Sequence, residues 1–251
     1  MVPRFDVERG SLEGWDGSDA DDGDTNPAMQ RKLRNLVLAA FTIVMAIEAL
    51  VLIVLLCVFK APKPKRDPKK PLKTLVVLGS GGHTAEMLKV VEKLDRQRYT
   101  PRTYVAATTD THSTRKAGEL EKRMSPDGKA SDVELYAIPR SREVGQSYIT
   151  SVFTTLRACL YAGMLVWKEA PDVIIANGPG TCIPICAAAY ILRQLHVRWC
   201  EVVYVESIAR VNKLSLSGKI LYHSRIADLF LVQWESLVKR YPRAVFADRV
   251  Y

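Results

Sequence analysis

Three short stretches of this sequence carry side chains able to hold an anion or move a proton. "GSGGHT" gathers Gly79, Ser80, Gly81, Gly82, His83 and Thr84 behind an apolar run. "NGPGT" places Asn177, Gly178, Gly180 and Thr181 behind another, and "IPRSREV" sets Arg140 and Arg142 beside Glu143. Glycines permit a tight turn and close approach of the backbone to an oxyanion, and the N–H groups that open the next helix point toward it. Ser80 and Thr84 would add hydroxyl donors, Thr181 can cap its helix, and arginine forks match diphosphate oxygens. Two such turns facing one crevice suggest a ligand with two anionic or polyhydroxyl parts. Neither common nucleotide fingerprint is met. No Lys-Ser/Thr follows the glycines, and Thr84 stands where the dinucleotide pattern has its third glycine.

His83 falls near a helix start, where the positive end of the dipole disfavours protonation. A neutral imidazole suits a general base for a sugar hydroxyl. A structural histidine donating to a backbone carbonyl fits the same position equally well, just as a solvated turn fits Arg140 and Arg142. His112, His196 and His223 lack metal-ligand spacing, and the five cysteines (Cys57, Cys159, Cys182, Cys186, Cys200) form no ligand pairs. They read as small apolar residues in a reducing compartment. No metal and no cofactor is expected. The basic residues lack the aromatic interleaving of a nucleic-acid surface.

Such turns need strands ahead of them and helices behind. From residue 73 onward, apolar β-branched runs ("KTLVVLG", "RTYVAAT", "VELYAIP", "PDVIIAN", "EVVYVES", "ADLFLVQ") alternate with helical patterns over Ala85–Asp95, Ser113–Met124, Gln146–Lys168 and Thr181–Leu195. Continuous rather than alternating apolar strands imply burial on both faces, hence a parallel sheet covered by helices. The expectation is a doubly wound, Rossmann-like α/β domain over residues 73–251.

The net charge of +9 is unevenly spread. Residues 1–30 carry eight acids against Arg4 and Arg9, a net of −6, and read as a disordered acidic tail; the other 221 residues hold +15. Leu36–Phe59 is an apolar run of 24 residues with Glu48 as its one ionisable group. At about 1.5 Å per residue it spans a bilayer core of about 30 Å. A basic, proline-rich tether follows at 60–72, with Lys60, Lys63, Lys65, Arg66, Lys69, Lys70 and then Lys73 against Arg31, Lys32 and Arg34 upstream. That excess orients the C-terminal body to the cytosol and the tail across the membrane, with the tether lysines on anionic headgroups. Residues 148–167 and 182–192 are also strongly apolar. Arg157 interrupts one and the other is too short to span, so buried or membrane-grazing helices are expected.

"VVLGSGGHTAEML", "IPRSREVGQS", "VFTTL", "NGPGTCIPIC", "VYVESIARV", "LSLSGKILYH" and "VQWESLVKRYP", in this order, resemble the membrane-anchored subunits of the bipartite UDP-N-acetylglucosamine transferase of the dolichol pathway. The resemblance covers most of residues 73–251 and leaves out the acidic tail. It implies the acceptor-side half of a split GT-B fold, inactive alone. A small soluble UDP-GlcNAc-binding catalytic subunit would supply the other half. The reaction would be inverting and metal-free, adding the second N-acetylglucosamine to GlcNAc-diphospho-dolichol at the cytosolic face of the endoplasmic reticulum membrane. Other early enzymes of the pathway are candidate neighbours. In such subunits the C-terminal end docks the partner, which points to Asp248, Arg249, Val250 and Tyr251. The glycine turns, with Arg140 and Arg142, would meet the acceptor diphosphate.

Leu214–Leu221 and the ending "YPRAVFADRVY" are the expected partner face, although Val245 and Phe246 fit an edge strand of the same sheet equally well. Two other functions stay open on the residues. One is a scaffold that recruits a soluble chain without touching substrate. The other is a self-sufficient dinucleotide enzyme with Asp110 as ribose partner.

Overall fold

The computed structural model describes residues 27–58, 63–125, 133–140, 148–178 and 180–248. Most of the acidic tail, Arg142, Arg249, Val250 and Tyr251 lie outside them. The chain forms two compact units, divided at Leu55. The first holds α1 (Pro27–Val58) up to Leu55, and its segment Pro27–Val51 is long and apolar enough to cross a membrane. The helix begins nine residues before the apolar run expected from sequence. Pro27 is pre-organised for a first helical position, and Ala28, Met29, Gln30, Arg31 and Lys32 all favour helix.

The second unit is a seven-stranded parallel sheet: β1 Thr74–Val77, β2 Arg102–Ala107, β3 Val133–Ile138, β4 Val173–Asn177, β5 Glu201–Val205, β6 Leu229–Val232 and β7 Val245–Phe246. The spatial order is β3-β2-β1-β4-β5-β6-β7. Side chains alternate along each central strand and feed two cores. Leu75, Val77, Ile174, Ala176, Val202 and Tyr204 join one cluster with residues of α4 (Tyr148–Glu169) and α5 (Cys182–Gln194). Val76, Leu78, Ile175 and Tyr104 join the other with α2 (Gly82–Lys93) and α3 (Thr111–Met124). Both faces are therefore covered, as a parallel sheet requires.

All six strands and four helices expected from sequence are present, and the doubly wound class stands. Two features differ from expectation. β3 is an edge strand with Leu135 exposed, so burial on both faces fails there. Two short helices, α6 (Leu216–His223) and α7 (Glu235–Arg240), were not read from the sequence. The two apolar helices also part ways: α5 is largely buried, whereas α4 buries Ala158, Ala162, Leu165 and Val166 and leaves its other face in the open.

The described part of the tether is fastened along the N-terminal ends of the strands. Lys63 pairs with Glu201 at 3.0 Å, and Arg66 donates to the Asp172 carbonyl at 3.0 Å. The Lys73 amide donates to the Asp172 carboxylate at 3.0 Å. Lys65, Lys69 and Lys70 remain exposed. The glycine turns stand at the opposite, C-terminal ends of the same strands.

Candidate functional site

Strand order fixes where the turns meet. The chain leaves β1 toward β2 on one side, returns to β4 on the other, and so opens a crevice at the C-terminal ends of β1 and β4. "GSGGHT" follows β1 and "NGPGT" closes β4, so sequence segments about a hundred residues apart become neighbours there.

Gly81 precedes α2 at φ 60° and Gly178 follows β4 at φ 88°, backbone conformations that glycine adopts without strain. A Cβ on Gly178 would come within 2.7 Å of His83 Cγ. The second turn therefore packs its bare backbone against the histidine of the first. His83 Nδ1 lies 2.9 Å from Asn177 Oδ1, and the ring is one-third exposed. Asn177 Nδ2 donates to Glu86 Oε2 at 2.9 Å, and Ser207 Oγ donates to Glu86 Oε1 at 2.8 Å. The C-terminal ends of β4 and β5 and the start of α2 thus contribute to one chain of hydrogen bonds.

Several expected ligand contacts have other roles. Thr84 is buried, and its hydroxyl donates to the Gly79 carbonyl and meets Ser113 Oγ at 2.6 Å, which ties the first turn to α3. Asn177 is also buried, its amide engaged with His83 and Glu86. Thr181 sits at the N-cap of α5 in a helical conformation without a side-chain cap, so the capping role expected for it is absent. Ser80, Gly82 and Gly180 stand at the open side of the turns: Ser80 and Gly180 are exposed, and Cβ atoms on Gly82 or Gly180 would meet nothing within 4 Å. Arg140 follows β3 and is half-buried. Asp110 caps α3 by accepting from the Ser113 amide at 3.1 Å and from its hydroxyl at 2.7 Å, which engages the side chain that a ribose would need.

Sequence reasoning did not single out Glu86, Glu206 or Ser207. A carboxylate three residues after a helix-start histidine shares its face, and "VES" closes β5 at the crevice, so a signal was present. Glu206 is buried and accepts from the Ser207 amide, the Ser215 amide and the Ser215 hydroxyl, each at 3.0 Å. Burial pushes its carboxyl above the usual range, opposed by those hydrogen bonds. The carboxylate rivets the 207–215 loop to α6, where a Cβ on Gly218 would lie 2.2 Å from Glu206 Oε2. Near this loop α6 presents Leu216 and Ile220 to solvent. Val245 and Phe246 form the edge strand β7 and are exposed as well. Asp248 ends the described chain beside them.

The described residues contain no group of three or more His, Cys, Asp or Glu side chains placed to hold a metal. Cys182, Cys186 and Cys200 are free and buried, and burial pushes the Cys182 thiol up to about 12.

A family model described as "Oligosaccharide biosynthesis protein Alg14 like" matches residues 74–250. The chain is 47% identical over 186 residues to the UDP-N-acetylglucosamine transferase subunit ALG14 of Rattus norvegicus, covering 73% of this chain and 85% of that one. It is 44% identical over 212 residues to the protein of the same name from Yarrowia lipolytica, covering 82% and 96%. Among solved structures, MurG of Acinetobacter baumannii aligns at 19% identity and TM-score 0.44, over 65% of this chain and 41% of that one. A UDP-N-acetylglucosamine 2-epimerase aligns at 16% identity and TM-score 0.49, over 68% and 43%. The chain thus spans about two fifths of the length of these structures.

Proposed function

The chain belongs to the Alg14-like family of oligosaccharide biosynthesis proteins, and from that premise we propose that it is the acceptor-binding half of a two-chain UDP-N-acetylglucosamine transferase. It anchors the enzyme through α1 in the endoplasmic reticulum membrane, with the body in the cytosol. It presents GlcNAc-diphospho-dolichol to a small soluble subunit that carries UDP-GlcNAc, and the second N-acetylglucosamine is added there. One observation carries the reading: two glycine turns converge on His83 at the switch point of a sheet that forms only one wall of a cleft. A sugar nucleotide and a lipid diphosphate need a second wall, which the partner supplies. A pure scaffold would have no use for a histidine held against a bare glycine backbone.

In this reading the acceptor diphosphate lies on the open side of the turns, at Ser80, Gly82 and Gly180, with Arg140 and Arg142 as its cationic partners. His83 takes the proton of the acceptor sugar hydroxyl as its oxygen bonds to C1 of the donor and UDP departs. The decisive experiment measures transfer from labelled UDP-GlcNAc to a GlcNAc-diphospho-lipid by the full chain, alone and with membrane-free cytosol of the same source. No turnover alone and turnover with cytosol is the expected result. Turnover by the chain alone would mean that this body holds a complete active site.

The tether is fastened at the strand ends opposite the turns, so it does not by itself bring the turns to headgroup level. The open face of α4 supplies a second contact. Phe153, Leu156, Leu160, Met164 and Trp167 recur at spacings of three and four along one helix face and are 57–74% exposed. Such a stripe suits the headgroup–acyl boundary, at about 25 cal/mol per Å² of apolar surface removed from water. The triple variant Phe153→Ser, Leu160→Ser, Trp167→Ser is expected to raise KM at least tenfold for a long-chain lipid acceptor in vesicles. For a short-chain, water-soluble acceptor KM should be unchanged. Equal effects on both acceptors would assign the stripe to the protein partner instead.

A further inference from the structure

The hydrogen-bond chain behind His83 has a direction, and the direction is set at its far end. We infer that Glu86, through Asn177 and steadied by Ser207, is the positioning residue that locks His83 in the tautomer carrying its proton on Nδ1. This inference rests on the proposed transferase reading for its catalytic consequence, but not for its geometry.

A carboxylate offers acceptors at both oxygens and no donor. Glu86 Oε1 takes the Ser207 hydroxyl proton at 2.8 Å, so the carboxylate cannot turn freely about its axis. Glu86 Oε2 faces Asn177 at 2.9 Å, which obliges the asparagine to present its –NH2 on that side. The carbonyl oxygen of the same amide must then face His83, and Nδ1 at 2.9 Å can meet it only by donating. A neutral imidazole with its proton on Nδ1 has its lone pair on Nε2. Nε2 has no hydrogen-bond partner among the described residues, and the ring is one-third exposed. The acceptor-only nature of Glu86 is thereby relayed across two side chains to a free basic nitrogen at the crevice.

The surroundings reinforce the relay. Asn177 and Ser207 are buried, so water does not compete for their groups. Gly178 leaves room for the ring beside the second turn, since a Cβ there would stand 2.7 Å from His83 Cγ. Glu86 Oε2 is also 3.8 Å from His83 Nδ1. Glu86 thus stands on the Nδ1 side of the ring, the place a triad carboxylate takes behind its histidine. Glu86 touches neither substrate nor the reacting atoms, so its contribution is through His83 alone.

Replacing Glu86 with glutamine keeps the volume and removes the acceptor-only property. Ser207 accepts from the Ala209 amide at 3.3 Å and donates its own proton to position 86. The glutamine oxygen therefore takes the Ser207 side and its –NH2 faces Asn177. Asn177 must turn over, Nδ1 becomes the acceptor, and the proton moves to Nε2, where it blocks base catalysis.

The test is nitrogen-15 NMR of the full chain in detergent micelles with labelled histidine. The protein has four histidines, and His83 is assigned by the signal lost in His83→Gln. The wild-type spectrum should show Nδ1 protonated and Nε2 bare, and Glu86→Gln should reverse the pair. The reversed tautomer in the wild type would overturn the inference whatever any variant does. In the reconstituted transfer assay, Glu86→Gln should lower kcat by roughly 10²-fold with acceptor KM held, within the range a general base contributes. Unchanged kcat with an unchanged tautomer would likewise overturn it. If Glu86→Gln does not fold, the wild-type tautomer alone decides, and Ser207→Ala should leave Nδ1 protonated, because either carboxylate oxygen still obliges Asn177 to present its –NH2. The reversed tautomer in Ser207→Ala would overturn the acceptor-only relay. Because the spectrum needs no partner or substrate, failure of the transferase reading shows only in the assay and leaves the tautomer result standing.

Discussion

Changing His83 to alanine is expected to lower kcat for sugar transfer by the assembled two-chain enzyme by about 10²- to 10⁴-fold, the usual contribution of a positioned general base. Acceptor KM should change little. His83 meets Asn177 and Glu86 from behind, and the diphosphate contacts are assigned to other residues of the turns. The fold should tolerate the change. The ring is one-third exposed, alanine is the best helix former for the first turn of α2, and the one hydrogen bond lost is worth about 1 kcal/mol. Kinetics and thermal denaturation of the same preparation check this. Full turnover with a lowered melting temperature would make His83 a strut of the turn. Partial restoration of the rate by added imidazole would identify the missing group as a proton acceptor.

That the site contains a histidine and two glycine turns was legible in the sequence; how they relate was not. A strand followed by glycines and a helical pattern can be read from apolar periodicity and turn chemistry alone, and β1 with α2 and β4 with α5 appear where those signals placed them. The meeting of the two turns depends on strand order. A β1–β4 neighbour pair formed by segments about a hundred residues apart leaves no local trace. Asn177 and Thr84 illustrate the consequence. Polar residues beside glycines read as ligand contacts, yet both are buried and hold the turns together, because a buried N–H or hydroxyl must find its partner inside the protein.

Two further differences have the same origin. α4 and α5 are similarly apolar in sequence, but α5 joins the central strands β4 and β5 and is largely buried, whereas α4 follows the edge strand β3 and leaves one face exposed among the described residues. Composition cannot separate these two fates; position in the sheet does. α6 lies in the stretch expected as a partner face, and its "SLSGKIL" start, with two serines and a glycine, carries little helix propensity. Ser215 caps it by accepting from the Gly218 amide at 2.9 Å, and the buried Glu206 holds its first turn. A glycine in that turn removes helix propensity, but it leaves the space that the Glu206 carboxylate fills.

The second large effect separates two glycines of a single turn. Gly178→Ala is expected to damage the site from within: φ is 88° and the new methyl would stand 2.7 Å from His83 Cγ, against a ring whose Nδ1 is held by Asn177. Strain of about 1–3 kcal/mol and displacement of the ring should lower both the melting temperature and kcat. Gly180→Ala is expected to do neither, since its Cβ meets open space and its φ is not in the left-handed region. If the acceptor diphosphate approaches the backbone here, however, the same methyl occupies the ligand's place. A contact penalty of about 1–3 kcal/mol corresponds to a rise in acceptor KM of roughly 5- to 150-fold. A Cβ at 180 meets none of the described residues within 4 Å, so a neutral effect on folding combined with a loss of acceptor binding would mean that the missing side chain makes room for the ligand. Unchanged KM in Gly180→Ala would move the diphosphate away from the second turn, toward Ser80, Gly82 and the arginines after β3. The crevice would then hold the sugar, beside His83, and the anion would lie on the first turn alone.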